Sequence, residues 1–427
     1  MSSIARKNLV KKLAPKSLAI LHANDVYPTN ADGTLPFIQN SDLFYLTGID
    51  QEETILILAP DAPDKKLREL LFLRETNEHI AIWEGERLSK EEASRISGIP
   101  MENIHWLDQF DRHYHALIRQ ADHVYLNTNE HARAVVEVET RDTRFIRRCQ
   151  REYPLHRYER LAPLLQSLRI IKSVAEIAVI KQAIAVTESA FRRVLNFVKP
   201  GVMENEVEAE IIHEFIRSGA QGHAFSPIIA SGKNACVLHY VQNNRRCEAD
   251  TLLLLDFGAR FGGYNADLTR TIPVSGRFTK RQREVYNAVL TVHRAARKLL
   301  KPGVLLREYQ EQVGLAMQEE LIKLKLLDRA AVKKQDKDKP LYKKYFMHGT
   351  SHHLGLDVHD VGDPMQRVAP GMVFTIEPGI YIREEGLGIR LENDVLITKT
   401  GNADLMPTIP IDPDEIESLM QTTKVRR

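Results

Sequence analysis

The tetrapeptide Lys-Pro-Gly-Val occurs twice, at 199–202 and at 301–304, and each copy stands at the same point in the same order of elements. Before the first, Ile177, Ile180, Ile184, Phe191 and Leu195 recur at the helical period; before the second, Val285, Val289, Val292, Ala296 and Leu299 do so. Lys-Pro-Gly is a common helix stop, so four residues alone would carry little weight. The matching order strengthens the case. Each copy continues into a further amphipathic helix and then into strands. Two copies are too few for a solenoid and point to a duplicated unit whose halves pack about a pseudo-two-fold axis. Ser173 with Glu176 three residues on has the form of a helix start, which sets the beginning of this part of the chain near 173.

Each half offers a pair of acids. In LLLLDFGARFGGYNADLTR (252–270) an apolar run too short for a helix ends at Asp256; Gly258, Gly262 and Gly263 supply turn chemistry, and Tyr264 to Ile272 returns as a second strand. A two-residue loop at Phe261-Gly262 or at Gly262-Gly263 puts Asp256 and Asp267 on one face, as direct opposites or as diagonal neighbours. A three-residue loop separates them. Two like charges so close repel, and a metal ion between them is the natural remedy. In the second half, GMVFTIEPGIYI places Glu377 near the end of a strand and GLGIRLENDVLIT places Glu392 within another. The duplication therefore predicts four converging carboxylates. FMHGTSHHLGLDVHD adds His348, His352, His353 and His359, and the Gly349-Thr350-Ser351 run between the first two speaks against a zinc-binding helix.

With 427 residues and 43% hydrophobic content, the chain has room for two domains with sizeable cores. Runs such as SLAILHA, DLFYLTG, TILILAP, LLFLRE and HVYLN between Ser17 and about Asn127 alternate with polar and helical segments, which predicts an α/β domain. A helical stretch from Thr140 to Ser167 leads out of it. A net charge of +2 gives no reason to expect nucleic acid or a membrane surface as partner. Three cysteines in no paired spacing argue against a disulfide framework and a zinc knuckle, and fit a reducing cytoplasm. No apolar run is long enough for a secretion signal or a transmembrane span.

Together, DFGARFGGYNADLTRT (256–271), HGTSHHLGLDVHD (348–360), TIEPG (375–379) and GIRLEND (388–394) closely resemble the metal-dependent Xaa-Pro aminopeptidases, aminopeptidase P. QNSDLFYLTGIDQEETILIL (39–58) is similar to the creatinase-like N-terminal domain of that family. The resemblance implies an α/β (α+β) protein: a creatinase-like domain over 1–172, then a pita-bread catalytic domain with internal pseudo-two-fold symmetry over 173–427. It further implies two divalent metal ions, manganese first and cobalt or zinc as alternatives, held by Asp256, Asp267, His352, Glu377 and Glu392, with Asp267 and Glu392 bridging. Oxygen-rich sites with one imidazole suit such ions.

By the same resemblance a hydroxide between the metals is the nucleophile. Glu377 also shuttles a proton, His239 and His359 hold the substrate carbonyl, His348 lines the pocket, and Arg390 orients a ligand carboxylate. The implied substrates are short peptides with proline in second position, cut to release the first residue by a homodimer or homotetramer. Prolidase, which cleaves Xaa-Pro dipeptides, is the nearest competing reading, with a non-catalytic peptide-binding module of the same fold behind it. His353 beside His352 leaves open which of the two faces the metals.

Overall fold

The strand β1 (Ser17–His22) is buried along its whole length, as a strand is when both faces of its sheet are covered. In this computed structural model, which describes residues 1–363 and 365–425, the chain divides into two units, Met1–Arg169 and Ile170–Arg427. In the first, β1 is joined by β2 (Ile55–Leu58), β3 (Glu69–Leu73), β4 (Ile104–Trp106), β5 (His123–Leu126) and β6 (Arg157–Arg160) in the order β4-β3-β2-β1-β5-β6. Period-two alternation splits the apolar side chains between two cores. Ala19, Leu21, Leu56, Leu58, Leu71 and Leu73 enter one, while Leu18, Ile20, Ile55, Ile57, Leu70 and Phe72 enter the other, each packed with helical residues.

Two expectations for this unit fail. DLFYLTG, read as a β-rich run, lies in the helix Ser41–Thr47, because Asn40 accepts from the N–H groups of Asp42 and Leu43 at its start and Gly48 takes φ 71 at its end. The stretch Thr140 to Ser167 is not one helical passage either. It holds the helix Arg141–Glu152, the edge strand β6 and the helix Ala162–Arg169. The sequence of β6, Arg-Tyr-Glu-Arg, is polar because an edge strand needs little apolar surface.

In the second unit Ser173 and Glu176 form a capping box at the start of the helix Val174–Phe197, and Thr279 and Gln282 form its counterpart on Lys280–Leu299. The duplication extends to the stops. Gly201 donates its N–H to the Cys247 carbonyl and accepts from the Arg246 guanidinium; Gly303 donates to the Val368 carbonyl and accepts from the Arg367 guanidinium. The helices Glu204–Arg217 and Leu306–Lys323 then open the second layer of each half. The first half has β7 (Gly222–His223), β8 (Ile228–Ser231), β9 (Leu252–Phe257), β10 (Ala259–Phe261), β11 (Tyr264–Asn265) and β12 (Leu268–Pro273). The second has β13 (Val373–Ile376), β14 (Gly379–Ile382), β15 (Leu387–Arg390), β16 (Asn393–Ile397) and β17 (Asn402–Asp404).

Each half thus contains one long hairpin broken in the middle. The first passes from β9 to β10 and returns from β11 to β12; the second passes from β13 to β14 and returns from β15 to β16. The strand expected from Tyr264 to Ile272 is interrupted at Ala266-Asp267, and Glu392, expected within a strand, lies in the break Leu391-Glu392. Here the chain leaves one sheet for another, and the Glu392 N–H turns to the Thr269 carbonyl of the other half at 3.0 Å.

Candidate metal centre

Gly262 and Gly263, at φ 54 and 81, close the first hairpin as a two-residue turn with Phe261 paired to Tyr264. Register then sets Asp256 opposite Thr269, which makes Asp267 its diagonal neighbour on the same face. Gly258 permits the break between β9 and β10, since a Cβ there would lie 1.7 Å from the Ala266 carbonyl oxygen. In the second hairpin the pairing on both sides of the break is in one register, which sets Glu377 opposite Glu392.

The loop bearing the histidines runs beside β13 and is tied to it by main-chain bonds from Thr375 to His352 and from Glu377 to Thr350. It is not helical at 348–352, as its Gly-Thr-Ser run predicts. The Nδ1–H of His352 donates to the His353 carbonyl at 3.0 Å, which leaves the Nε2 lone pair facing the acids. That nitrogen lies 3.5 Å from Asp267 Oδ2 and 3.7 Å from Glu377 Oε1. One donor atom each of Asp267, His352 and Glu392 fall within 4.8 Å of one another. His353 points away: it is buried against the Phe374 ring, and burial together with the Lys172 cation pushes its imidazole down to about 3.

The electrostatics match this crowding. Burial, then the charge of Asp256, holds Asp267 well above the usual carboxylate range; burial, then Asp267, does the same to Glu392. Asp256 Oδ1, Asp267 Oδ1 and Glu392 Oε1 are buried oxygens that find no hydrogen-bond donor among the described residues. Acceptors left without donors, on carboxylates forced together beside an imidazole lone pair, form a donor set that fits hard or borderline divalent cations.

Arg390 reaches Asp256 Oδ2 at 2.5 Å from the far side and donates through Nη1 to the Tyr381 hydroxyl at 2.9 Å. Tyr381 in turn meets His348 Nε2 at 2.8 Å, while His348 Nδ1 faces the Gly349 carbonyl at 2.8 Å. This fixes the polarity: Nδ1 carries the proton, and Tyr381 accepts from Arg390 and donates to His348. Burial and the Arg390 cation push His348 down to about 3, so it stays neutral. His359 packs edge-on to His352, with ring centroids 4.4 Å apart. His239 lies on an exposed turn near enough for its charge to act on His348.

Sequence reasoning missed three contributors. Tyr381 joins Arg390 to His348. Thr269 donates to Glu392 Oε2 at 2.6 Å and accepts from Arg390 Nε at 3.2 Å. Asp394 accepts from the Asp267 N–H at 3.1 Å. Thr269 and Asp394 lie inside quoted motifs, and two-residue alternation from Asp267 and from Glu392 could have picked them out.

The model of metallopeptidase family M24 matches residues 178–399, and that of the aminopeptidase P N-terminal domain matches residues 4–125. The chain is 35% identical over 433 residues to the Xaa-Pro aminopeptidase of Escherichia coli K12, covering 97% of this chain and 96% of that protein. It superposes on an alanine-substituted variant of Escherichia coli aminopeptidase P in complex with substrate with a TM-score of 0.87 at 34% identity, over 99% of this chain and 98% of the other. For proline aminopeptidase P II from Yersinia pestis the TM-score is 0.86 at 34% identity, over 99% of both chains. Two broken hairpins facing each other across a duplicated unit, four acids and a histidine at their meeting point, and these full-length matches lead to one assignment: the chain belongs to metallopeptidase family M24, in its aminopeptidase P branch.

Proposed function

We propose that the protein is a two-metal Xaa-Pro aminopeptidase in which Asp256, Asp267, His352, Glu377 and Glu392 hold two divalent ions, Mn²⁺ before Co²⁺ or Zn²⁺. The observation that carries this reading is the group of Asp267, His352 and Glu392 within 4.8 Å, with buried carboxylate oxygens that lack donors. Such ions supply Lewis acidity and bring the ionisation of water from a pKa of about 15.7 towards roughly 7. The chain's own groups do the rest.

Glu377, 3.7 Å from both His352 Nε2 and His348 Nδ1, is the carboxylate that takes up and returns a proton. His239 and His359 are exposed where a substrate can reach them and serve as donors to its carbonyl oxygen. His348, kept neutral, lines the pocket. Arg390 holds Asp256 and keeps one of its oxygens engaged. An Xaa-Pro bond offers no N–H for an extended-backbone grip, so selection falls on the proline ring and the free amino terminus. The full-length match to Xaa-Pro aminopeptidases favours this activity over prolidase. In this reading residues 1–172 form the creatinase-like domain, residues 173–427 are catalytic, and a homodimer or homotetramer acts on short peptides in the cytoplasm.

The test is to load the protein with Mn²⁺, offer Xaa-Pro-Xaa tripeptides and Xaa-Pro dipeptides, and identify products by mass spectrometry with and without chelator. Chelator-sensitive release of the first residue from tripeptides is the expected result. Cleavage confined to dipeptides makes the protein a prolidase, and no cleavage of either leaves a peptide-binding module.

A further inference from the structure

The two copies of the duplicated unit differ in kind at one position. Two residues after the first Lys-Pro-Gly-Val comes Glu204, and two residues after the second comes Leu306; each is the first residue of its helix. Glu204 is 0% exposed. Its carboxylate gathers five donors from a single passage of chain. Oε1 accepts from the Ser231 N–H at 2.7 Å, the Ser231 hydroxyl at 2.7 Å and Asn234 Nδ2 at 3.1 Å. Oε2 accepts from the Tyr240 hydroxyl at 2.7 Å and the Arg245 N–H at 2.9 Å. Burial and the Glu204 carboxylate push the Tyr240 phenol up to about 12, so it remains a donor.

One helical turn on, Glu208 accepts from Asn243 Nδ2 at 2.8 Å, and Asn243, at φ 44, accepts from the Ile229 N–H at 3.0 Å. A single helix face therefore fastens both legs of the loop 231–245. At the exposed tip of that loop, next to Tyr240, stands His239. A buried carboxylate saturated by charge-assisted bonds is a rigid anchor. An apolar residue suffices at the equivalent place in the other half, so the fold of the unit does not itself demand an acid there.

We propose that Glu204 is the positioning residue for His239, holding the loop so that the imidazole meets the substrate carbonyl; this rests on the aminopeptidase reading above. Glu204→Gln keeps the size but turns an acceptor into a donor facing donors. It should lower kcat by about tenfold to 100-fold, with KM and bound Mn²⁺ unchanged. In a His239→Ala background the same change should cost less than about twofold, because a residue that acts through another has nothing left to act on. An equal loss in both backgrounds overturns the proposal. Tyr240→Phe removes one donor with little risk to folding and should lower kcat about threefold, again only where His239 is present. Hydrogen exchange gives a readout independent of catalysis: the Ser231 and Arg245 amides should exchange faster in Glu204→Gln, and unchanged exchange overturns the anchoring. A wild-type protein that cleaves no peptide defeats the aminopeptidase reading and the catalytic half of this one, while exchange still decides whether Glu204 holds the loop.

Discussion

A buried carboxylate needs donors, a proton or a cation, and Asp256, Asp267 and Glu392 each have an oxygen for which the described residues supply no donor. Asp267→Ala or Glu392→Ala should therefore abolish activity and weaken binding of both ions, measured by metal content beside kinetics. Full activity in either variant would sink the two-ion site. Proton uptake gives a second check. Burial and neighbouring carboxylates raise Asp267 and Glu392 above their ordinary values, so without metal the folded protein holds more protons than the unfolded chain between about pH 4 and the raised values. The stability these two groups confer on the metal-free protein must fall as pH rises through that window, and an ion entering the site must displace their protons. Titrating Mn²⁺ into metal-free protein within that window should release protons and bind more weakly as pH is lowered. Release of no protons would mean that these acids are already ionised without the ion.

At the scale of elements, the site is made by breaking two hairpins where they cross. Gly258 is the critical break, since a Cβ there would enter the Ala266 carbonyl, whereas one at Gly401 would meet nothing within 4 Å. Gly258→Ala should cost about 3 kcal/mol or more in denaturant unfolding and lower metal content, while Gly401→Ala should change neither. Equal behaviour of the two variants would show that the close approach is dispensable. The shared face of Asp256 and Asp267 was legible because the Gly262-Gly263 turn and a side-chain period of two determine it locally. The break before Glu392 was not, because Leu391 stays apolar and buried while the chain changes sheets. The helix Ser41–Thr47 was misread for a related reason: its caps at Asn40 and Gly48 outweigh a run that suits either structure. What Tyr381 and Glu204 bind could not be read from any pattern. Their partners are set by tertiary contact, with the donors to Glu204 lying 27 to 41 residues away. Nor could sequence choose between His352 and His353, which differ only in the direction that β13 imposes on the adjoining loop.

For the whole molecule, each half of the Ile170–Arg427 unit contributes two acids, and the two pairs repel each other as they ionise. The halves share main-chain bonds such as Glu392 to Thr269, and the buried Arg270 spans them by donating to the Glu392 carbonyl at 2.6 Å and the Pro410 carbonyl at 2.7 Å. These bonds hold the unit together against the repulsion, and an ion at the centre would turn that repulsion into a cross-link between the halves. Binding at 100 times the dissociation constant stabilises a fold by about 2.7 kcal/mol. For a unit of this size that corresponds to a rise in Tm of roughly 5–10 °C. Removing metal should therefore lower the Tm by that amount and speed hydrogen exchange in both broken hairpins together, from β9 to β12 and from β13 to β16. Exchange in β1 of the Met1–Arg169 unit, which has its own two cores, should not change. Asp267→Ala should abolish the response to Mn²⁺, since the site that couples the halves is then incomplete. Loosening of one hairpin alone on chelation would place the ion within one half, and the duplicated architecture would then not be what assembles the site.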